Sequence, residues 1–212
     1  MTSLNRLNQR LDSIPASIWA DIAHIDELKG HWVGSAQLHP QILGRLKKSV
    51  LVTSTGASTR IEGAKMSDAD IEKLLRGITI EKFADRDIQE VTGYYELLQN
   101  IFNSWTELSF NENIIKHFHQ ELLKYVDKDK LHRGKYKTSE NKVHMIDAAG
   151  KSLGVLFDTT PAYLTPAAMH DLIDWTKHTS IAKRYHPILV IGNFIVEFLQ
   201  IHPFKDGNGR LS

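Results

Sequence analysis

Apolar residues recur along most of the chain with the period of a helix. Ile18, Ile22 and Ile25 are spaced for one helical face, as are Leu38, Ile42, Leu46 and Val50. Ser67 is placed to cap a helix carrying Ile71, Leu74 and Leu75. Asp68 and Asp70 fall in its first turn, where carboxylates complement the positive helix end. From Asp85 to Trp105, the residues Ile88, Val91, Tyr95, Leu98 and Phe102 line one predicted face. Asn111 or Asn113 opens a further helix with Ile114, Phe118 and Leu122 inward. Thr165-Pro166 predicts a helix start, cap then proline, running to about His178. Pro187 opens the last full helix, with Ile188, Ile191, Ile195, Phe198 and Leu199 as a wide apolar face.

Between Gly134 and about Phe157 the helical period is lost. Short runs, Val143-His144-Met145-Ile146 and Val155-Leu156-Phe157, flank the break Asp147-Ala148-Ala149-Gly150. Such a pattern predicts a β-hairpin, or extended flap, on a helical body. The expected fold class is therefore mainly α with a short hairpin. No repeat or low-complexity tract divides the chain. Residues 1–35 are expected to form an N-terminal helical extension, and residues 36–212 the main domain.

Composition narrows the function classes. Lys+Arg number 26 and Asp+Glu 25, a net charge of +1, so no global field draws the chain to nucleic acid or an acidic membrane. Any nucleotide site must be built locally. With no cysteine, a disulfide scaffold and a thiolate metal site are both excluded. The start Met1-Thr2-Ser3-Leu4-Asn5 lacks the basic and apolar regions of a signal peptide. The apolar run Ile188 to Ile201 is too short for a bilayer and is interrupted by Asn193 and Glu197. The expectation is a soluble cytoplasmic protein without a membrane partner.

The chemistry gathers at the end of the chain. The last full helix delivers His202, followed by Pro203-Phe204-Lys205-Asp206-Gly207-Asn208-Gly209-Arg210. His202 titrates near neutral pH and can accept a proton from a hydroxyl. Asp206 is a hard oxygen ligand suited to a Mg²⁺ that bridges phosphates. Gly207 and Gly209 let the backbone approach a ligand, and their amides with Asn208 make an anion cradle. Arg210 adds a fixed charge suited to phosphate. A base, a metal carboxylate, an anion nest and an arginine point to phosphoryl or nucleotidyl transfer; a glycine turn with a structural His and an exposed Asp is the plainer alternative.

The string itself resembles the signature of the Fic family: His-Pro-Phe, any residue, Asp or Glu, Gly-Asn-Gly-Arg, two residues, then Arg. Every position through Arg210 matches. The resemblance extends upstream to Val91-Thr92-Gly93-Tyr94-Tyr95, the flap region, the segment from Pro161 to Trp175, and His186-Pro187. It implies a mostly helical protein that transfers AMP from ATP to a Ser, Thr or Tyr hydroxyl of a target protein, with Mg²⁺. His202 would deprotonate the hydroxyl, Asp206 would hold the metal, and Asn208 with the Gly207 and Gly209 amides would bind phosphate. Arg210 would stabilise the leaving pyrophosphate. A flap near Lys137 to Val143, including Asn141 and Lys142, would take an extended target segment by strand addition. The kinase-like Doc branch carries Lys where this chain has Gly209, which favours AMP transfer.

A second stretch, Ser58-Thr59-Arg60-Ile61-Glu62-Gly63, resembles the family's inhibitory motif of Ser or Thr, three residues, Glu, then Gly or Asn. By that resemblance Glu62 blocks productive seating of ATP and Ser58 orients it. Thr59 to Glu62 also fits an ordinary helix capping box. The signature's second Arg would follow Ser212, so the sequence is expected to be a fragment, inactive by itself. The resemblance also implies self-association through dimers, and contact with DNA only through a helix-turn-helix domain beyond this sequence. The alternatives are a Fic enzyme that removes AMP, and a regulatory protein that binds nucleotide without transfer. His117 and His119 diverge on a helix and are set aside as a metal pair. Trp19, Trp32, Trp105 and Trp175 are expected in the packing, and the stretch from Lys124 to Lys137 as a solvated loop.

Overall fold

The computed structural model describes residues 3–34, 40–77, 85–146 and 152–212. Among them, helices α1 (Ser3–Leu11), α2 (Ala16–Gly34), α3 (Pro40–Ile61), α4 (Asp68–Leu75), α5 (Asp85–Ser104) and α6 (Glu112–Leu122) precede the hairpin. The hairpin pairs β1 (Lys142–Ile146) with β2 (Ser152–Asp158), and α7 (Thr165–Ala182), α8 (Pro187–Ile201) and the short α9 (Asn208–Leu211) follow. The strands are antiparallel, with Lys142 opposite Asp158 and Val143 opposite Phe157, and irregularities after Val143 and Met145. The expected turn at 147–150 and Leu38 lie outside the described residues.

Caps explain several of the boundaries. Ser67 and Asp70 form a reciprocal capping box at α4, and the Asn111 side chain accepts from Ile114 N–H at 2.9 Å to open α6. His186 caps α8, with Pro187 as its first residue. The start of α7 differs in detail. Its cap is Leu164, reached through a 3₁₀ turn at Ala162–Leu164, and the Thr165 hydroxyl donates back to Pro161 O at 3.1 Å. The helix also runs past His178 to Ala182.

The principal core joins α1, α7 and α8, with Trp175, Met169, Leu172, Phe198, Ile201 and Phe204 at its centre. Helix α1 is stitched into it by polar groups. Arg10 donates to Asn193 Oδ1 at 2.6 Å and pairs with buried Glu197 at 2.8 Å, and Asn193 Nδ2 donates to Leu7 O at 3.0 Å. The inner face of α8 is therefore Leu189, Val190, Asn193, Glu197, Phe198 and Ile201, while Ile188 and Ile191 are exposed. This corrects the apolar face expected from periodicity; a helix face may be polar inside when another element supplies its partners.

Other faces are rotated too. Helix α5 turns Glu90, Val91 and Leu97 inward with Tyr94 and Ile101 partly buried, leaving Phe102 exposed. It serves two small clusters, Val91 packing with Val52, Met66 and Ile71, and Leu97 with Leu122, Leu123 and Val126. Helix α6 buries Ile115, His119 and Leu122. The expected stripe Ile42, Leu46 and Val50 is exposed, because the buried positions of α3 begin at Leu51. Of the tryptophans only Trp175 is buried, its indole donating to Asn8 Oδ1 at 2.9 Å; Trp19, Trp32 and Trp105 are exposed.

Helices α5 and α6 cross closely at Gly93. A Cβ there would collide with Leu122 O and meet Leu122 C at 3.2 Å. Gly93→Ala would gain about 1 kcal/mol of helix propensity, yet the backbone collision is expected to cost about 1–3 kcal/mol and to win. A Tm lower by a few degrees is expected, at roughly 2–4 °C per kcal/mol; a raised Tm would show that the helices part freely.

Candidate active site

The terminal loop begins where α8 ends. His202 is its C-cap, with φ 51 and ψ 60, a left-handed conformation rare for a residue bearing a Cβ. Beyond this turn Phe204 enters the core, fully buried. His202 Nδ1 lies 3.3 Å from Leu199 O. A carbonyl only accepts, so Nδ1 carries the proton and Nε2 is left as the basic atom. Burial pushes its pKa below the ordinary histidine value, with the Leu199 carbonyl opposing, so the ring is neutral at pH 7.

Asp206 is half-buried. Burial alone would raise its pKa, but Arg210, the Gly207 N–H, Lys128 and Arg86 outweigh this and hold the carboxyl below its usual range. Gly207 N–H donates to Oδ1 at 2.7 Å and Arg210 Nη2 at 3.1 Å, while Lys128 Nζ and Arg86 Nη2 lie 3.6 and 3.9 Å from Oδ2. Lys128 stays exposed, as a solvated stretch would have it, while its charge acts on Asp206. Among the described residues no group of three or more His, Cys, Asp or Glu side chains could hold a metal by itself. One ionised carboxylate fits Mg²⁺, which usually keeps waters and relies on substrate phosphates for further ligands.

The other loop residues face inward more than their types imply. Asn208 is buried, its Oδ1 accepting from Phe204 N–H at 2.9 Å and its Nδ2 donating to Phe204 O at 2.8 Å. Its side chain ties the loop shut. Gly207, at φ 79, occupies a left-handed position before α9. Only the amides of Leu211 and Ser212 find acceptors within this turn, leaving those of Asn208, Gly209 and Arg210 without intrahelical partners. Arg210 lies beneath the loop, its side chain 1% exposed, pairing with Glu90 at 2.9 Å and with Asp206. Its Nε is buried without a hydrogen-bond partner among the described residues.

Glu62, from the other end of the chain, reaches this loop. It follows the last turn of α3, where Gly63 takes φ 100 and the Gly63 amide donates to Arg60 O at 3.0 Å. A Cβ on Gly209 would collide with Glu62 Oε1, so the carboxylate lies directly over that glycine. Removal from water raises the Glu62 pKa; Arg210 opposes the rise, and Asp206 and Glu90 add to it. The capping-box alternative is corrected. Thr59 sits in the final turn of a helix and its hydroxyl donates to Thr55 O at 2.7 Å, whereas the actual capping box is Ser67–Asp70. Ser58 accepts from Tyr94 Oη at 2.9 Å, and no Ser58–Glu62 hydrogen bond occurs among the described residues.

Of the expected flap residues, Lys142 and Val143 lie on β1, with Lys142 exposed and 3.1 Å from Asp158. Lys137 and Asn141 do not. Lys137 is buried, with bonds to Asn141, Thr159 and Ile201, and Asn141 donates to His202 O and Phe204 O. They face the loop rather than an open strand edge.

His119 is the residue that the motifs missed. Fully buried, it stacks on Phe204 with ring centroids 3.8 Å apart, accepts from Gly134 N–H at Nδ1 (2.8 Å), and approaches Asp206 O with Nε2 (3.0 Å). The Gly134 donor forces the proton onto Nε2, so a neutral ring donates to the loop carbonyl. A signal existed: His119 shares one helix face with Ile115 and Leu122. Glu90, inward beside Val91, gave the same kind of signal. Burial pushes the His119 pKa down to about 4. Between pH 6.5 and 4 the unfolded chain takes a proton that the folded one refuses, so stability falls as pH falls through that window, by about 3 kcal/mol. Urea melts of wild type and His119→Gln should show this slope flattened in the variant; parallel slopes would contradict it.

Comparison with known proteins bears on the family and the fold. Residues 109–212 match the Fic/DOC family. Among solved structures, a Fic domain containing signaling protein from Bacteroides thetaiotaomicron is 26% identical, with a TM-score of 0.76 over 88% of this chain and 68% of that one. A Fic family protein from Desulfovibrio desulfuricans G20 is 24% identical, with a TM-score of 0.76 over 94% of this chain and 55% of its own. Fic-1 from C. elegans, in a form carrying a Glu-to-Gly substitution, is 20% identical, with a TM-score of 0.74 over 99% and 60%. The last two attest the fold alone. The chain spans between 55% and 68% of the length of these three proteins. No curated protein sequence matches it. No described helix is long and apolar enough to cross a membrane. With the loop His202 to Arg210 inside the matched segment, residues 109–212 are a domain of the Fic/DOC family.

Proposed function

We propose that this chain carries the site of an autoinhibited protein adenylyltransferase, which moves AMP from ATP to a hydroxyl of a target protein. Members of the family commonly transfer AMP onto proteins. The observation that carries the inhibitory part is the Glu62 carboxylate lying over Gly209, beside Asp206 and Arg210.

In this reading His202 Nε2 takes the proton from the target hydroxyl as its oxygen bonds to the α-phosphorus of ATP. The bond from that phosphorus to the bridging α–β oxygen breaks, and pyrophosphate leaves. Asp206 would hold Mg²⁺ against the phosphates, and the bound ion would neutralise charge on them. Arg210 contributes its charge from beneath the loop, and the amides of Asn208, Gly209 and Arg210 remain available to phosphate oxygens. The exposed edge at Lys142 and Val143 is the place for an extended target segment. Glu62 occupies space and adds negative charge where phosphate would sit.

Gly209→Ala puts a Cβ against Glu62 Oε1, and in this reading the phosphates would occupy that same space, so AMP incorporation should fall. Undiminished labelling from [α-³²P]ATP, with the fold intact, would count against this loop as the phosphate seat.

A further inference from the structure

His202 holds a backbone conformation that a residue with a Cβ keeps only where its surroundings over-determine it. Those surroundings are unusually complete. Lys137 Nζ donates to Ile201 O at 3.0 Å, and the Lys137 amide donates to Pro203 O at 2.8 Å. Asn141 Nδ2 donates to His202 O at 3.3 Å and to Phe204 O at 3.1 Å. Every carbonyl from Ile201 to Phe204 is thus held by one of two residues. The two are themselves joined: Lys137 Nζ donates to Asn141 Oδ1 at 2.7 Å and to Thr159 Oγ1 at 2.8 Å, and the Thr159 hydroxyl donates to Asn141 O at 2.8 Å.

The placement of these residues is informative. Asn141 immediately precedes β1 and Thr159 immediately follows β2, so together they form the root of the hairpin. Lys137 Nζ has its three donors engaged, and each acceptor is a neutral oxygen. A neutral donor would serve a purely structural brace, and burying a cation without an ion partner is costly. We propose that Lys137, acting through Asn141 and Thr159, is a positioning residue for His202, tying the base and its charge state to the root of the flap.

Charge and geometry agree. Burial draws the Lys137 pKa down to about 8, with Glu140 opposing, so the side chain is still a cation at pH 7. Besides burial and the Leu199 carbonyl, the groups acting on His202 are Lys137, which lowers its pKa, and Asp206, which raises it. Lys137 therefore both shapes the turn and helps to keep the base unprotonated.

The inference rests on His202 as the base, but its test does not require catalysis. The His202 ring would be titrated by NMR in wild type, Lys137→Met and Lys137→Arg, alongside AMP transfer as a function of pH. Lys137→Met should raise the His202 midpoint by roughly half a pH unit or more, moving the acid limb of any transfer activity with it. Lys137→Arg, which keeps the charge, should restore the wild-type midpoint. An unmoved midpoint in Lys137→Met, or an equal shift in both variants, overturns the proposal. If Lys137→Met does not fold, Thr159→Val is read by hydrogen exchange of the Lys137 amide. Exchange about tenfold faster supports the clamp, and an unchanged rate overturns it. Intact wild-type protein that transfers no AMP would fail the functional reading alone, since the titration decides the clamp separately.

Discussion

In the intact protein, Glu62→Gly is expected to raise AMP incorporation into target protein by roughly ten- to a hundredfold. A carboxylate about 4 Å from a phosphate charge, at the effective dielectric near a protein surface, costs up to about 4 kcal/mol. Glu62 is partly open to solvent, which reduces that figure, and about 1.4 kcal/mol already corresponds to a factor of ten. Glycine removes the charge and the side chain that lies over Gly209. Labelling with [α-³²P]ATP reads the result, and Glu62→Gln separates charge from bulk. Equal or weaker labelling by Glu62→Gly would end the inhibitory assignment. If Glu62 instead serves removal of AMP by placing the attacking water, loss of AMP release from modified target in this variant would identify that direction.

His202→Ala is expected to lower transfer by about 10²–10⁴-fold, the usual contribution of a general base. Among the described residues the His202 side chain makes one polar contact, from Nδ1 to Leu199 O, so its removal should leave folding and nucleotide affinity near wild type. Retained transfer would remove His202 from the mechanism. The same base sets a pH dependence. Its pKa lies below the ordinary value of about 6.5, so activity should persist through pH 6.5 and fall only under more acid conditions. An acid limb centred above 6.5 would place a different group in that role.

Much of this site could be read from local sequence, and the reason is physical. His202 to Arg210 are adjacent along the chain, and their geometry depends on short-range features: a helix end, a proline, and one glycine, Gly207, at φ > 0. The caps of α4 and α6 and the Pro187 start of α8 were legible for the same reason. Helix faces were less so. Periodicity places apolar residues on one side, but which side is buried depends on the neighbour. On α8 the neighbour is α1, whose Arg10 makes Asn193 and Glu197 interior residues. On α6 a histidine is interior, because Gly134 and Asp206 supply both of its partners.

The sequence by itself determined a helical fold interrupted by a hairpin, and marked His202, Asp206 and Glu62 as the candidates for base, metal carboxylate and inhibitor. These follow from side-chain chemistry and from spacing within a turn or two of helix. Only the tertiary structure decided which groups meet. It set Glu62 over Gly209, turned Arg210 beneath the loop onto Glu90, closed Asn208 on Phe204, and moved Lys137 from the flap surface to the carbonyls around His202. Each of these contacts joins residues distant in sequence or depends on the direction of a side chain, and packing alone settles both.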